Sequence, residues 1–221
     1  ALERKISKKT KMLWLCNPSN PTGHVFSRQD LEVVADVAKK HNLIVFSDEV
    51  YEKIVYEGTR HVSIGSLSGM EDRTITVNGF SKAYAMTGWR LGYAAMRKDL
   101  AQQVTQLMIN SNSFTSAFTQ MAGVEALRGP QTEAKKFGEE FRKRREVIVD
   151  GLNGIKGITC KKPRGAFYVF PNVQSCSMES KKLSDYILNT AEVAVLSGTS
   201  FGAYGDGYVR LSFANSAQNI E

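Results

Sequence analysis

Short apolar runs alternate with longer stretches of helical spacing along the first 130 residues. Four runs have the length and apolar content of buried strands: 11–16, 43–47, 74–78 and 90–96. Between the first two, residues 27–41 place an apolar stripe from Leu31 to Ala38 on one helical face, with Ser27 as the N-cap. Strands that alternate with helices predict an α/β fold on a mostly parallel sheet.

The second half of the chain has a different organisation. Three helices are predicted near 98–109, 117–128 and 131–152, and Gly129-Pro130 breaks the chain before the last of them. The pattern then predicts one helix near 179–190 and four strands, near 158–161, 166–171, 193–196 and 207–213. We therefore predict part of a large domain at 1–130, a linking helix at 131–153 and a small α+β domain at 154–221.

One lysine and one arginine stand in the segment that follows the third apolar run. Lys82 lies at a strand-to-loop junction, where partial desolvation favours the neutral, nucleophilic amine. Arg90, eight residues further on, can hold a phosphate with its forked donors. A lysine and a phosphate anchor are what a pyridoxal-phosphate site requires. Because an arbitrary lysine after a strand is usually a surface residue, this prediction depends on three further motifs.

Two of these motifs directly follow apolar strands. The loop 17–23 is constrained by two prolines and yet carries two asparagines, whose amides can bond a cofactor oxygen at a sheet edge. After the second strand, Asp48 and Glu49 form an acidic pair, and Tyr51 is close behind. A buried carboxylate needs a cation or donors, which a protonated pyridine nitrogen would supply to Asp48, while Tyr51 could reach the ring hydroxyl. The alternative for Asp48 is a helix cap.

The third motif is the alternating strand 208–214, which has one arginine among apolar and small residues. A buried Arg210 needs an anion, and the carboxylate of an amino acid fits its planar, two-pronged fork. The alternative is an arginine that faces outward from an edge strand.

Together these motifs resemble the class I/II aminotransferases of pyridoxal-phosphate fold type I, and within them the aspartate and aromatic aminotransferase branch. The resemblance covers nearly the whole chain. Six segments carry it, in the family's order: NPSNPTG (17–23), SDEVY (47–51), NGFSKAYAMTGWRLGY (78–93), SNSFTSAFTQ (111–120), PRGAFYVFP (163–171) and YVRLSFANS (208–216).

The resemblance implies how the cofactor, pyridoxal 5'-phosphate, is bound. Lys82 would carry it as a Schiff base and move the substrate proton. Asp48 would pair with the pyridinium nitrogen, and Tyr51 and Asn20 would bond the ring oxygen. Arg90 would hold the phosphate.

The resemblance also implies substrate contacts. Arg210 would bind the substrate α-carboxylate, Asn20 would touch both cofactor and substrate, and Phe167 is a candidate for lining the pocket. One position departs from the family: many relatives have a serine three residues before the lysine as a phosphate ligand, where this chain has Gly79. Ser81 is the candidate substitute.

The implied reaction moves an amino group between an L-amino acid, either aspartate or an aromatic or broader donor, and a 2-oxo acid by a ping-pong mechanism. The segment 111–116 resembles one that reaches into a neighbouring subunit, which implies a homodimer. Two alternatives keep the fold: a pyridoxal-phosphate lyase or synthase, and an aminotransferase-like effector-binding domain of a transcription regulator.

Length and composition narrow these expectations. The 221 residues are little over half of what the family needs, so we expect an internal fragment, without the N-terminal part and the last helix, that is inactive alone. No apolar run approaches a membrane span. The charge of +7 is spread over helices that also carry acidic residues, which argues against nucleic-acid binding.

Cysteine and histidine usage point to the compartment and against a metal. Three cysteines without CxxC spacing indicate reduced thiols and a cytoplasmic protein, with organelle targeting left open. The histidines, His24, His41 and His61, are scattered, so we expect ordinary surface or loop residues and no metal site.

Overall fold

The chain forms two units in the computed structural model, which describes residues 2–221. The first unit holds the chain up to Pro18 together with 25–55 and 60–135. The second holds 19–24, 56–59 and 136–221. The chain therefore passes between units at two short segments, and for the last time inside the helix predicted to link the domains. The predicted domain boundaries remain a prediction.

The first unit is built on a four-stranded sheet in the order β1-β2-β3-β4. Its strands are β1 (Met12–Cys16), β2 (Ile44–Asp48), β3 (Thr74–Gly79) and β4 (Gly92–Ala95). The first three are parallel, as the alternation of elements predicts, and helix α1 (Arg28–Lys40) connects β1 to β2.

The fourth strand is the exception in the mostly parallel sheet that the sequence predicts, because β4 runs antiparallel to β3. A parallel connection would need a crossover, usually a helix. The link 80–91 instead turns back at once: Phe80 N donates to Leu91 O at 3.2 Å, and Met86 N donates to Phe80 O at 3.2 Å. The sheet is therefore mixed.

The core of the first unit lies between α1 and the sheet. Its buried members are Leu31, Val34, Ala35, Ala38, Leu43, Val45, Ile64, Leu67 and Met70. The predicted N-cap is confirmed and is part of a capping box, in which Asp30 N donates to Ser27 Oγ at 3.1 Å and Ser27 N donates to Asp30 Oδ2 at 2.9 Å.

Two further helices of the first unit bury little. Helix α2 (Lys98–Ser111) has no buried residue, and α3 (Ala117–Arg128) buries only Thr119 and Gly123. Large apolar side chains on these helices and between them are exposed: Leu107 by 70%, Phe114 by 79%, Phe118 by 74% and Met121 by 67%. We call these four residues the α2–α3 apolar face.

The second unit has a small antiparallel sheet in the order β5-β7-β6. Its strands are β5 (Tyr168–Val169), β6 (Leu196–Ser197) and β7 (Val209–Ser212), and its helices are most of α4 (Thr132–Gly154), α5 (Ser180–Ala191) and α6 (Ala217–Ile220). Buried Val173, Leu183 and Val209 form a core beneath α5.

The strand expected at 158–161 is absent from the described residues, apart from an isolated bridge between Thr159 and Asn172. A side-chain amide has taken the place of a neighbouring strand. Asn153 Oδ1 accepts from Cys160 N at 2.8 Å, and Asn153 Nδ2 donates to Cys160 O at 3.0 Å. Pro163, which has no donor, follows shortly after.

A buried arginine of α4 is paired with two carboxylates, although its Nε is buried without a hydrogen-bond partner. Arg145 is 2% exposed, and its Nη2 donates to Glu57 at 2.6 Å and to Glu146 at 2.8 Å. Its Nη1 donates to Pro163 O, and its guanidinium lies 4.2 Å from the Tyr56 ring centroid. Burial raises the pKa of the Tyr56 hydroxyl, whereas the Arg145 hydrogen bond holds the pKa of Glu57 below its usual value.

Two other features of the described residues bear on the sequence expectations. No helix within residues 2–221 is both long and apolar enough to cross a bilayer. The three cysteines form no disulfide among residues 2–221. Burial raises the pKa of the Cys160 thiol to about 11.

The capping box predicts a measurable contribution to stability. Replacing Ser27 by Ala removes the acceptor for Asp30 N and should lower the free energy of unfolding by about 1 kcal/mol. Ser27→Thr keeps a hydroxyl and is the matched control. Urea unfolding followed by circular dichroism measures both variants, and equal midpoints would show that the cap contributes nothing.

Candidate active site

The carboxyl ends of the parallel strands meet at one edge of the sheet. Asp48 is the last residue of β2, opposite Cys16 of β1 and Val77 of β3. The ladder continues past the strand ends, because Asn17 N donates to Asp48 O at 2.9 Å and Glu49 N donates to Val77 O at 2.8 Å. This edge is where open α/β sheets bind ligands, and Asp48 lies directly on it.

Asp48 is a half-buried carboxylate without a counter-ion. Its Oδ1 accepts from Val50 N at 3.3 Å, and it makes no ion pair with any residue in 2–221. The Val50 contact is a local turn rather than the helix cap considered from sequence, since residues 50–53 form a turn. Tyr51 follows and is 3% exposed.

The segment after β3 carries Lys82, Ser81 and Arg90. Lys82 and Ser81 are half-buried, and Lys82 O accepts from Ala85 N at 3.3 Å. Arg90 is exposed, and its Nη1 donates to Thr87 O at 2.8 Å, which leaves further donors available. The backbone of Arg90 is left-handed, with φ of 53°. Such conformations are enriched at functional sites.

A cavity of about 860 Å³ lies beside Arg90 in the first unit. It is lined by β3–β4 residues such as Asn78 and Tyr93 and by α2 residues such as Met108, and Arg90 is the only predicted site residue in its wall. Its volume suits a small ligand. However, its walls are the exposed strand β4 and helix α2, so we regard it as a gap at the sheet edge rather than the cofactor cleft.

The second residue of the acidic pair, Glu49, has a role that the sequence did not reveal. It is 1% exposed, and its Oε1 accepts from Ser47 Oγ at 2.9 Å and Ser63 Oγ at 2.8 Å. Its Oε2 lies 2.9 Å from His61 Nε2. His61 lies on a loop, as expected, but it is partly buried and is a partner of Glu49.

The two-residue period of a strand explains this burial. Val45, Ser47 and Glu49 are buried and alternate with less buried neighbours, so the inward face of β2 continues one residue beyond the strand. No alternation of apolar and polar residues indicates it in advance, because 44–46 are all apolar. Glu49, Glu52 and His61 also bring three possible metal donors within 4.8 Å. Because both oxygens of Glu49 are engaged by hydroxyls and the imidazole, we assign the cluster to structure.

The two asparagines of loop 17–23 do different work. Asn17 is 1% exposed in the first unit, where its Oδ1 accepts from Phe26 N at 3.1 Å and its Nδ2 donates to Val62 O at 3.3 Å. It is a structural residue. Asn20 belongs to the second unit, and its Oδ1 accepts from Arg210 Nη1 at 2.9 Å.

The loop that carries Asn20 is held by Gly23. Residues 19–24 are closed by hydrogen bonds from Ser19 N to His24 O and from Gly23 N to Ser19 O, each 2.8 Å. Gly23 O accepts from both Arg164 N and Gly165 N at 2.9 Å. Gly23 has φ of +64°, and a side chain there would collide with Pro163, so glycine is required.

Arg210 lies on β7, the central strand of the small sheet, and not on an edge strand. Its Nε is buried without a hydrogen-bond partner, and it makes no ion pair with residues 2–221. Its guanidinium lies 4.4 Å from the Tyr168 ring centroid and 5.1 Å from that of Phe201. Neither ring had a role predicted from the sequence.

Phe167 is 8% exposed and packs in an aromatic cluster. Its ring centroid is 5.2 Å from that of Phe141 and 4.9 Å from that of Tyr168. Its role in lining a pocket remains a prediction, as do the roles of the other site residues. The first unit thus brings Asp48, Tyr51, Ser81, Lys82 and Arg90 to one sheet edge and the segment after it, and the second joins Asn20 to Arg210.

Comparison with known proteins gives consistent results over the whole chain. The family model "Aminotransferase class I and II" matches residues 1–221. The chain is 42% identical to the aspartate aminotransferase of Pyrococcus abyssi, covering 100% of this chain and 57% of that protein. It is 40% identical to aromatic-amino-acid aminotransferase 2 of Thermococcus litoralis, with 100% and 57% covered.

The fold matches as well as the sequence. A crystal structure of an aromatic aminotransferase from Pyrococcus horikoshii superimposes with a TM-score of 0.97 at 41% identity, covering 100% of this chain and 59% of that one. The chain therefore spans little more than half the length of these relatives.

The Glu49 cluster predicts a large loss of stability on mutation. Glu49→Ala would leave two hydroxyls and an imidazole without their acceptor in a buried site, which should cost about 3–5 kcal/mol in the free energy of unfolding. Glu52→Ala, a neighbouring half-buried carboxylate with no side-chain hydrogen bond, is the control and should cost under about 1 kcal/mol. Similar urea midpoints for the two variants would contradict this assignment.

Proposed function

Because the chain belongs to the class I and II aminotransferases, we propose that the whole protein transfers an amino group between an L-amino acid and a 2-oxo acid with pyridoxal 5'-phosphate. The transfer is ping-pong: the donor leaves as its 2-oxo acid before the acceptor binds. Aspartate and aromatic amino acids are the proposed donors, because the relatives described above are named for them.

The observation that carries the proposal is a pair of charges without counter-ions. Asp48 is a half-buried carboxylate without a cation, and Arg210 is a guanidinium with a buried Nε and no carboxylate among residues 2–221. Buried charges are normally paired. Arg145 in the same chain follows that rule, with two carboxylates. Asp48 and Arg210 are the exceptions. A cationic cofactor ring would pair with Asp48, and an anionic substrate would pair with Arg210.

The residues at the edge of the first sheet fit the cofactor. When bound, pyridoxal phosphate supplies an electron-withdrawing ring that stabilises negative charge at the substrate Cα. Asp48 would stabilise a protonated ring nitrogen, and Tyr51 and Asn20 would bond the ring oxygen. Arg90, with its available donors, would hold the phosphate, and Ser81, whose hydroxyl makes no hydrogen bond to residues 2–221, is a second candidate.

Lys82 would act as the covalent anchor and then as the proton carrier. Its position after β3 places it on the segment that follows the ligand-binding edge, and its side chain is half-buried. An amine so placed can take the proton from the substrate Cα and return it elsewhere on the reacting system. Replacing it removes both roles, so no other lysine of the chain would compensate.

Arg210 and Asn20 would bind the substrate carboxylate. The amide oxygen of Asn20 takes one Nη1 donor, and the remaining guanidinium donors stay available for a carboxylate. Phe167, whose ring packs against that of Tyr168, is proposed to shape the pocket for the substrate side chain. All α-amino acids share the carboxylate, so this contact would serve every donor.

We further propose that the whole protein is a cytoplasmic homodimer. The free thiols support a reducing compartment. The α2–α3 apolar face supports a partner, because monomeric proteins rarely expose large apolar patches. A second copy is the occupant proposed, because the segment 111–116, which contains Phe114, resembles one that reaches a neighbouring subunit in the family.

The covalent role of Lys82 can be tested directly. Borohydride reduction of the cofactor-loaded, full-length protein, followed by peptide mapping, should place the phosphopyridoxyl group on Lys82. Lys82→Arg should abolish both the label and transfer from aspartate or phenylalanine to 2-oxoglutarate, while Lys53→Arg should keep both. Label on another lysine would refute the mechanism, and a labelled protein that eliminates rather than transfers would favour the lyase.

The dimer can be tested by disrupting the α2–α3 apolar face. Phe118→Glu introduces a charge on this face. It should shift the sedimentation coefficient of the full-length protein from the value of a dimer to that of a monomer. Val33→Glu, at a 63% exposed position on α1, is the matched control and should remain dimeric. A monomeric wild-type protein, or a dimer that survives Phe118→Glu, would contradict the proposed interface.

A further inference from the structure

Two aromatic rings, those of Tyr168 and Phe201, lie beside the Arg210 guanidinium. Strand β7 lies between β5 and β6, and Arg210 is opposite Leu196 of β6. Tyr168 comes from β5 on one side, and Phe201 comes from the helical turn directly after β6 on the other. The rings therefore reach the guanidinium from the two strands that flank it.

Phe201 is held firmly although it is 38% exposed. Its ring packs edge-on against Phe170, with centroids 6.2 Å apart and planes at 83°. The turn that carries it is fixed from behind, because Gly198 and Gly205 approach so closely that a side chain on either would collide with the backbone of the other. The turn therefore fixes the position of this exposed aromatic ring.

Tyr168 provides the inner side of the same environment. It is 7% exposed and packs against Phe167. Its pairing with Ser212 sets it diagonally across from Arg210 on the same face of the sheet, a position from which aromatic rings reach their neighbours. The buried ring and the exposed ring together leave little freedom to the guanidinium.

We propose that Tyr168 and Phe201 are positioning residues, forming an aromatic clamp that orients the Arg210 guanidinium for the substrate carboxylate. This inference rests on the proposed function of Arg210. Aromatic rings attract a cation through its faces and use none of its in-plane N–H donors. The clamp therefore immobilises the charge while its donors stay available to an incoming anion.

Arg145 shows the alternative that the chain uses where no ligand is needed. Tyr56 covers that guanidinium too, and its Nε is also buried without a partner, but Glu57, Glu146 and Pro163 O bond its two Nη nitrogens. Replacing rings by carboxylates at Arg210 would fix it equally well and would neutralise it. A ring clamp without an acidic partner is thus the arrangement suited to an arginine that must bind an external carboxylate.

The test measures carboxylate binding separately from turnover. Hydrocinnamate, a monocarboxylate without an amino group, is titrated calorimetrically into the full-length, cofactor-loaded protein. Phe201→Leu keeps apolar bulk but removes the ring, and it should raise Kd about three- to thirtyfold. Phe201→Tyr restores the ring and should stay within about twofold of wild type. Tm is measured for both variants, because Phe201→Leu also loses the edge-on contact with Phe170, whereas Phe201→Tyr keeps it.

Kinetics and a second variant complete the test. Loss of positioning affects ground state and transition state alike, so Phe201→Leu should raise KM for every donor and leave kcat nearly unchanged. Arg210→Lys should weaken hydrocinnamate binding at least as much as Phe201→Leu. Unchanged binding in Arg210→Lys would overturn the proposed role of Arg210 itself. Weakened binding in Arg210→Lys with wild-type Kd in Phe201→Leu would overturn only the clamp.

Discussion

The hydrogen-bond ladder of β1, β2 and β3 is the constraint on which the first unit depends. Parallel strands bring their carboxyl ends to one edge, and here the ladder extends past them through Asn17 N to Asp48 O and Glu49 N to Val77 O. Asp48 is paired with a strand on each side, so the sheet sets its backbone position. The segment after β3 starts from the same edge, so the end of β3 determines where Lys82 lies.

Buried charge is handled in three ways in this chain, and the differences separate structure from function. Arg145 is neutralised by two carboxylates, and Glu49 is surrounded by hydroxyls and an imidazole. Arg145 Nε and His61 Nδ1 are buried without a hydrogen-bond partner, but the charges of Arg145 and Glu49 are paired or hydrogen-bonded within the chain. Arg210 and Asp48 have no counter-ion among residues 2–221. A buried charge without a partner costs stability, and we propose the substrate and the cofactor as the partners of these two.

Sequence periodicity was sufficient for the helices and for the parallel part of the sheet, because both have a clear apolar repeat. It was insufficient where backbone groups find other partners. Asn153 replaces a strand at 158–161, and the turn at Phe80 reverses β4; neither contact leaves a periodic trace. Motifs indicated the candidate site residues, whose roles are proposals, whereas Phe201 belongs to no such motif, because its contact with Arg210 depends on strand order rather than on spacing.

The loop 17–23 shows why a motif alone does not separate the roles of its residues. From sequence, either asparagine could bond a ligand. Asn17 is 1% exposed and both ends of its amide are bonded to the backbone of the first unit, so it is not accessible to a ligand. Asn20, three residues later, faces Arg210 in the second unit, and Gly23 locks its loop onto 164–165. One short loop therefore divides its two amides between holding the backbone and holding the charge that would bind substrate.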